Sequence, residues 1–143
     1  MLVFLVMPRF GRRSQDRLDT CHRDWHIILN YVVRFIDCTI LEGQRGQVLQ
    51  DLYFKNGTSK VKFPDGSHNT TPSEGVDVGP WPEVYDDKEK CYYLAGVIKM
   101  AAEMLYEQGK ITHKIRWGGD WDMDNDLKDQ SFFDLVHFEL VRG

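Results

Sequence analysis

Two histidines and two aspartates lie in segments whose composition suits a metal site. His68 is in the polar run "SHNTTPSEG", and Asp77 follows nine positions later between two valines in "GVDVG". His137 lies in "FFDLVHFELV" near the C-terminus, three residues after Asp134. Two histidines and one carboxylate are the usual protein ligands of a catalytic zinc ion, whose fourth position stays open for water. A second carboxylate beside such an ion could take a proton from that water and pass it to a leaving amine.

Each of these residues also has a structural interpretation. His68 could be a solvated loop histidine, and His137 a hydrogen-bonded core histidine. Asp77 is harder to explain in this way, because an aspartate between valines in a short buried strand costs several kcal/mol unless it is paired or bound to a cation. The sequence contains no HExxH pair, which excludes the commonest helical arrangement of zinc peptidases.

Short strands and amphipathic helices must position these residues. Helices are predicted after Ser14, which we expect to cap the first of them, after Asp24, and over residues 46–57 and 88–109. Short β-prone runs are predicted at 38–43, 75–79, 113–119 and 135–141, with a long polar loop at 56–74. A few short strands with helices between and beside them indicate an α+β domain.

The composition is that of one globular domain. At 143 residues the chain is long enough for one domain and too short for two ordinary ones. No apolar run approaches the roughly 20 residues of a membrane helix, so we expect no stable membrane association. The net charge of −4 argues against a nucleic-acid partner, and we expect a monomer. Cys21, Cys38 and Cys91 lack CxxC spacing and are interpreted as reduced thiols in a cytosolic protein.

The first six residues, "MLVFLV", are apolar but do not have the features of a signal peptide. No positive charge precedes the run, and the run is too short. We interpret residues 1–6 as an N-terminal extension and residues 7–143 as the domain, with Met7 as an alternative start. We therefore expect a protein that is not exported by a signal of its own.

The motifs around these residues resemble the zinc peptidases of the D-alanyl-D-alanine carboxypeptidase and L-alanyl-D-glutamate endopeptidase family, most closely its phage endolysin branch. That family shows a His…Asp pair, then a carboxylate followed three residues later by a histidine in an "HFE" or "HVE" context. Here "HFE" occupies 137–139, and the resemblance continues in "LEGQRGQVLQDLYFKNGTSK", "HNTTPSEGVDVGPWP" and "IRWGGDWDMDND". It covers nearly the whole chain from Met7 onward. It implies a single α+β domain of the hedgehog and DD-peptidase type, a small antiparallel sheet with flanking helices.

The resemblance also implies roles for individual residues. His68, Asp77 and His137 would hold one zinc ion, with Asp134 as general base and acid. Arg45, in "GQR", matches the family arginine that holds a substrate carbonyl or carboxylate and steadies the developing oxyanion. A guanidinium suits that role because it stays charged and donates in a fork.

Three further residues are candidates around this site. Gln50 matches a recurrent family glutamine, structural or substrate-facing. The family serine two residues before the histidine is replaced here by Gly66, and the adjacent Ser67 is the candidate for its substrate contact. Glu139 lies on the same strand face as His137 and could orient it, or could be a solvated strand residue.

The implied activity is zinc-dependent cleavage of the L-Ala–D-Glu bond in bacterial peptidoglycan stem peptides. Such a phage endolysin would be made in the host cytoplasm and reach the cell wall through holin-type permeabilisation. A D-Ala-D-Ala carboxypeptidase is one alternative, and a zinc-retaining binding module without turnover is another. The presence of both Asp134 and Arg45 favours an enzyme, because a binding module needs neither.

An acidic segment, "GGDWDMDNDLKD", places aspartates at alternate positions. They are Asp120, Asp122, Asp124 and Asp126, a spacing similar to the first half of a calcium loop. No glutamate stands where it would complete an EF-hand. A solvated acidic loop is the preferred interpretation, and a regulatory Ca²⁺ ion is the alternative.

Overall fold

The computed structural model describes residues 8–82 and 87–142. The α-helices described are α1 (Arg12–Leu18), α2 (Arg23–Val33), α3 (Gln47–Lys55) and α4 (Lys88–Glu107). The strands are β1 (Cys38–Glu42), β2 (Gly75–Pro80), β3 (His113–Gly118) and β4 (Asp134–Arg142). A short 3₁₀ turn, Ser67–Asn69, lies between α3 and β2. The predicted N-terminal extension, residues 1–6, lies outside the described residues.

The four strands form one antiparallel sheet in the order β1-β2-β4-β3. The last strand of the chain is therefore inserted between β2 and β3, and β1 and β3 form the two edges. The predicted α+β domain with a small antiparallel sheet and flanking helices is confirmed.

The two faces of the sheet differ in polarity because side chains alternate along each strand. Val76 and Val78 of β2 are buried in the core, whereas Asp77 between them faces the other way. Phe138 of β4 follows the same rule and is buried beside Val76, its register partner. The apolar face packs against α4, which leaves the opposite face to carry polar side chains.

Helices α2 and α4 cover the apolar face with side chains at helical spacing. The buried residues of the two helices include Trp25, Ile28, Leu29 and Val32 of α2 and Leu94, Ile98, Ala101 and Leu105 of α4. This is the stripe that hydrophobic periodicity predicts. Within the described part of the chain, no helix is both long enough and apolar enough to cross a membrane.

Ser14 does not cap α1, contrary to the prediction. The helix begins at Arg12 after Gly11, and Ser14 is buried within the first turn. Its hydroxyl accepts the Ile40 N–H at 3.0 Å and lies 3.1 Å from Thr39 Oγ1. The hydroxyl is therefore used to join α1 to β1 and not to satisfy the helix's own amides.

The cysteines lie in the interior of the domain. Cys21, Cys38 and Cys91 are all buried. Burial raises the pKa of Cys21 to about 11 and that of Cys38 to about 12. Both thiols are therefore protonated at neutral pH, and a protonated thiol is a poor metal ligand.

Candidate active site

Two strands and one turn bring His68, Asp77 and His137 together. Asp77 of β2 and His137 of β4 are register partners, so their side chains leave the polar face of the sheet side by side. The 3₁₀ turn places His68 over them. Gly75 permits this close approach, because a Cβ atom there would lie 2.9 Å from the backbone nitrogen of His68.

The three side chains direct one atom each toward a common point. His68 Nε2, Asp77 Oδ1 and His137 Nδ1 form a triangle with all three sides 3.1 Å long. Tetrahedral zinc with bonds of about 2.0–2.1 Å separates its ligand atoms by about 3.3 Å. Both histidines are buried, and the chemistry and spacing of these donors fit one zinc ion.

Hydrogen bonds on the far sides of the rings set which nitrogen faces the common point. His68 Nδ1 lies 2.6 Å from the carbonyl oxygen of Gly43, which can only accept, so this nitrogen carries the proton and donates. His137 Nε2 donates to Glu139 Oε1 at 2.8 Å, and Arg116 Nη2 donates to the other oxygen of Glu139 at 2.6 Å. With these outer nitrogens donating, the other nitrogen of each ring is directed at the common point, where it can offer its lone pair to a metal ion in place of a proton, as ligating histidines require.

The local charges favour a cation at this point. Burial alone would lower the pKa of His137, but hydrogen bonds to Asp77 and Glu139 raise it to about 9. Burial would raise the pKa of Asp77, but hydrogen bonds from His137 and His68 hold it below its usual range. The carboxylates of Asp77 and Glu139 therefore stabilise a positive charge at His137. The same negative charges would stabilise a divalent ion bound beside this ring.

Asp134 reaches the same cleft because β4 is irregular. Residues three apart on a regular strand point to opposite faces. Here Trp117 pairs with Phe138, whereas the next residue, Gly118, pairs with Asp134, so the register shifts between the two pairs. A Cβ atom on Gly118 would lie 2.1 Å from the Asp134 carbonyl oxygen, so glycine is required for this approach. Asp134 and His137 both line the cleft as a result.

The surroundings of Asp134 suit proton transfer. Burial raises its pKa, and the negative charge of Asp77 raises it further, although His137, His68 and Arg45 oppose the shift. A carboxylate with a raised pKa accepts a proton more readily than an ordinary aspartate and can still return it.

Arg45 is held rigidly at the wall of the cleft. It is buried, and its guanidinium forms an ion pair with Glu42 at the end of β1. It donates to Gln50 Oε1 at 2.9 Å and lies 4.6 Å from the centre of the Tyr53 ring. The chain therefore fixes the orientation of the guanidinium before any substrate arrives.

The side-chain amide of Gln50 forms hydrogen bonds with other residues of the protein. Its nitrogen donates to Ser59 Oγ at 2.9 Å and to the Val61 carbonyl at 2.6 Å. Its oxygen accepts from Arg45 and, at 3.1 Å, from Asn69. These four bonds favour the structural one of its two predicted roles, and a substrate contact by Gln50 stays a prediction.

Ser67 and an aromatic wall complete the cleft. Ser67 is half-buried, with its hydroxyl 3.4 Å from His137 Nε2. Trp121 stacks on the His137 ring at 5.6 Å and donates its indole N–H to the Phe132 carbonyl at 2.9 Å. No role for Trp121 was predicted from the sequence, where its place inside "GGDWD" was the available signal. The cavity has a volume of about 830 Å³.

The acidic loop is organised by its own backbone. Asp120 is buried, and its two oxygens accept the N–H groups of Asp124 at 3.3 Å and Asn125 at 2.9 Å. Carboxylate oxygens of Asp120, Asp122 and Asp124 lie within 4.8 Å of one another, and an Asp126 oxygen accepts a backbone N–H at 2.9 Å. These bonds are typical of a solvated loop, and calcium binding here stays an untested alternative.

The fold matches that of a solved L-Ala D-Glu endopeptidase. The chain superposes on the L-Ala D-Glu endopeptidase ChiX of Serratia marcescens with a TM-score of 0.69 and 24% identity, covering 93% of this chain and 90% of that one. Comparison with curated proteins returns no match. The family model described as phage L-alanyl-D-glutamate peptidase matches residues 6–141. The chain belongs to this family, which confirms the resemblance predicted from the sequence.

Proposed function

We propose that this protein is a zinc-dependent phage endolysin that cleaves the L-Ala–D-Glu bond of peptidoglycan stem peptides. The observation that carries the proposal is the 3.1 Å triangle of His68, Asp77 and His137 atoms, with Asp134 lining the same cleft. Membership of the family supports the substrate class. The enzyme would be made in the host cytoplasm and reach its substrate through holin-type permeabilisation.

The proposed roles divide the work among four side chains and the ion. His68, Asp77 and His137 would hold the ion. A bound zinc ion would polarise the scissile carbonyl and lower the pKa of water. Asp134 takes a proton from the attacking water and returns it to the leaving amine of D-glutamate.

Arg45 would stabilise the charge that develops on the scissile carbonyl oxygen. Its ion pair with Glu42 and its bond to Gln50 hold the guanidinium in place. A charged donor that needs no reorganisation during the reaction is the most effective kind of oxyanion stabiliser. Gln50 then acts as a positioning residue.

The cleft has features that suit a short acidic peptide. Its volume of about 830 Å³ is within the range of cavities that bind small ligands. Trp121 and Phe132 form an aromatic wall, and Lys60 and Arg116 also line the cavity. Arg116 is already paired with Glu139 at 2.6 Å, so of these two cations Lys60 is the one that would attract a free carboxylate of a stem peptide.

Digestion of purified peptidoglycan followed by mass spectrometry tests the bond that is cut. New N-terminal D-glutamate is the expected product. Loss of a single alanine from intact pentapeptides, with no new D-glutamate terminus, would identify the carboxypeptidase alternative. Retention on peptidoglycan without any product would identify the binding module. In cells, lysis is expected only after the inner membrane is permeabilised.

Replacing Glu139 by glutamine should weaken zinc binding by about 10- to 100-fold, the usual effect of losing the carboxylate behind a ligating histidine. The neutral amide keeps the shape of the side chain but gives up the charge shared between His137 and Arg116. Competition with a chromogenic chelator measures the affinity. Glu103→Gln is the matched control, because Glu103 pairs with Lys114 on the surface at 3.6 Å. Equal zinc affinity in Glu139→Gln and wild type would contradict the positioning role.

A further inference from the structure

A second cluster of two histidines and an aspartate lies where α2 begins. His22 is the N-cap of α2, Asp24 lies in its first turn, and His113 is the first residue of the edge strand β3. His113 lies two residues before Ile115 on β3 and therefore shares its face of the sheet. Because Ile115 is buried in the core, the cluster lies on the side of the sheet opposite the active site. One ligand atom from each of the three residues lies within 4.8 Å of the others.

Asp24 is buried, and one of its oxygens accepts no hydrogen bond from the part of the chain that the structure describes. Its side chain is 1% exposed. Oδ2 accepts the Thr112 and His113 N–H groups at 3.0 and 3.1 Å and lies 2.9 Å from His113 Nδ1. Oδ1 accepts none from the described residues; Arg23 Nη1 lies 3.8 Å from Asp24 Oδ1, and His22 Nδ1 lies 4.0 Å from it. A buried carboxylate oxygen left in this state is costly and requires an explanation.

His22 and His113 are placed so that a metal ion could bind between them and the Asp24 oxygen. Their side chains are 27% and 24% exposed, so an ion has a path from solvent. The rings pack edge to face with centroids 4.9 Å apart. A zinc ion bonded to one nitrogen and one oxygen can span at most about 4.3 Å between these two atoms, and His22 Nδ1 lies 4.0 Å from Asp24 Oδ1.

We propose that His22, Asp24 and His113 form a second divalent-metal site, selective for ions of the zinc class, that joins the start of α2 to the start of β3. Two imidazoles and one carboxylate suit Zn²⁺, Co²⁺ or Ni²⁺ and not Ca²⁺ or Mg²⁺, which select oxygen ligands. Binding exchanges existing hydrogen bonds for coordinate bonds, because His22 Nδ1 accepts the Asp24 N–H at 3.0 Å. The 4.0 Å separation of His22 Nδ1 and Asp24 Oδ1 must also shorten by about 0.7 Å to reach tetrahedral spacing. The site is therefore weaker than the active site.

Zinc titration of a variant without the active-site histidines tests the proposal. In the His68→Ala/His137→Ala protein, one Zn²⁺ ion should still bind, and Co²⁺ should show the visible absorption of a tetrahedral nitrogen and oxygen site. Adding His113→Gln should lower the affinity at least about tenfold, since losing a ligand costs no less than losing its supporting group. His26→Gln is the matched control, since His26 is on the same helix but outside the cluster.

The proposal is overturned if the double variant binds no zinc, or if its zinc affinity is unchanged by both His113→Gln and His22→Gln. His22→Gln provides the answer if His113→Gln fails to fold, because His22 lies at the helix end and is partly exposed. Failure of the active-site proposal would give a different result. The wild-type protein would then bind zinc only through His22, Asp24 and His113.

Discussion

Replacing His137 by alanine should abolish zinc binding at the active site and lytic activity together. His137 Nδ1 is one corner of the 3.1 Å triangle, and two remaining ligands cannot hold a catalytic zinc ion against water. His68→Ala and Asp77→Ala should have the same effect, because each removes one of the three donor atoms. Metal analysis of the purified proteins and turbidity loss of bacterial cell walls measure the two outcomes.

Thermal unfolding separates loss of metal from loss of fold. Zinc at about 100 times its dissociation constant should stabilise the wild-type protein by about 2.7 kcal/mol, because the ion binds the folded chain. The three alanine variants should melt cooperatively but lose this active-site shift. His26→Ala is the control, because its ring contacts the Cys21 carbonyl and not the triangle. Wild-type zinc affinity in His137→Ala would show that the ion is held elsewhere.

Local patterns were sufficient to predict most helices and strands. Apolar residues recur at helical spacing in α2 and α4, and Val76 and Val78 alternate with Asp77 in β2. These patterns show which side chains face the core, and the same side chains are buried in the structure. Ser14 shows where this reasoning fails. Its preference for a helix N-cap is a local property, whereas its actual partner is the Ile40 amide, 26 residues away.

The arrangement of the site depended on contacts that a single sequence does not display. The insertion of β4 between β2 and β3 decides that Asp77 lies opposite His137. The three-residue spacing of Asp134 and His137 argued against a shared face on a regular strand. Only the register shift opposite Gly118 resolves that conflict. The ligand types could therefore be predicted, but their convergence required the tertiary structure.

The partners of the metal-site residues were the least predictable part. Glu139 and Arg116 meet across two strands, and Trp121 reaches His137 from a loop. Their side chains are common on solvated surfaces, so residue type alone carries no signal. The His22, Asp24 and His113 cluster was equally invisible, because His113 is separated from Asp24 by 89 positions.

Replacing Asp134 by asparagine should leave zinc bound while turnover falls by about 10²-fold or more, the effect of removing a general base. Asparagine has nearly the same shape, so the register shift and the Gly118 contact with the backbone of residue 134 are retained. The amide cannot accept a proton from water at neutral pH. Because Asp134 lies outside the triangle of donor atoms, its substitution should not affect metal content.

Two comparisons isolate the proton-transfer role of Asp134. In the wild type, kcat/KM should fall at low pH as the Asp134 carboxylate is protonated. This acidic limb of the pH profile should be absent in Asp134→Asn, a change that a purely structural role would not produce. Asp134→Glu should recover part of the activity because it restores a carboxylate, whereas Asp51→Asn, at an exposed position on α3, should behave as wild type. Zinc loss in Asp134→Asn would show that Asp134 is a metal ligand. Full activity of Asp134→Asn would show that another group is the general base. Retained zinc with lost turnover and partial recovery by glutamate is the combination expected of a carboxylate that moves the proton and does not hold the metal.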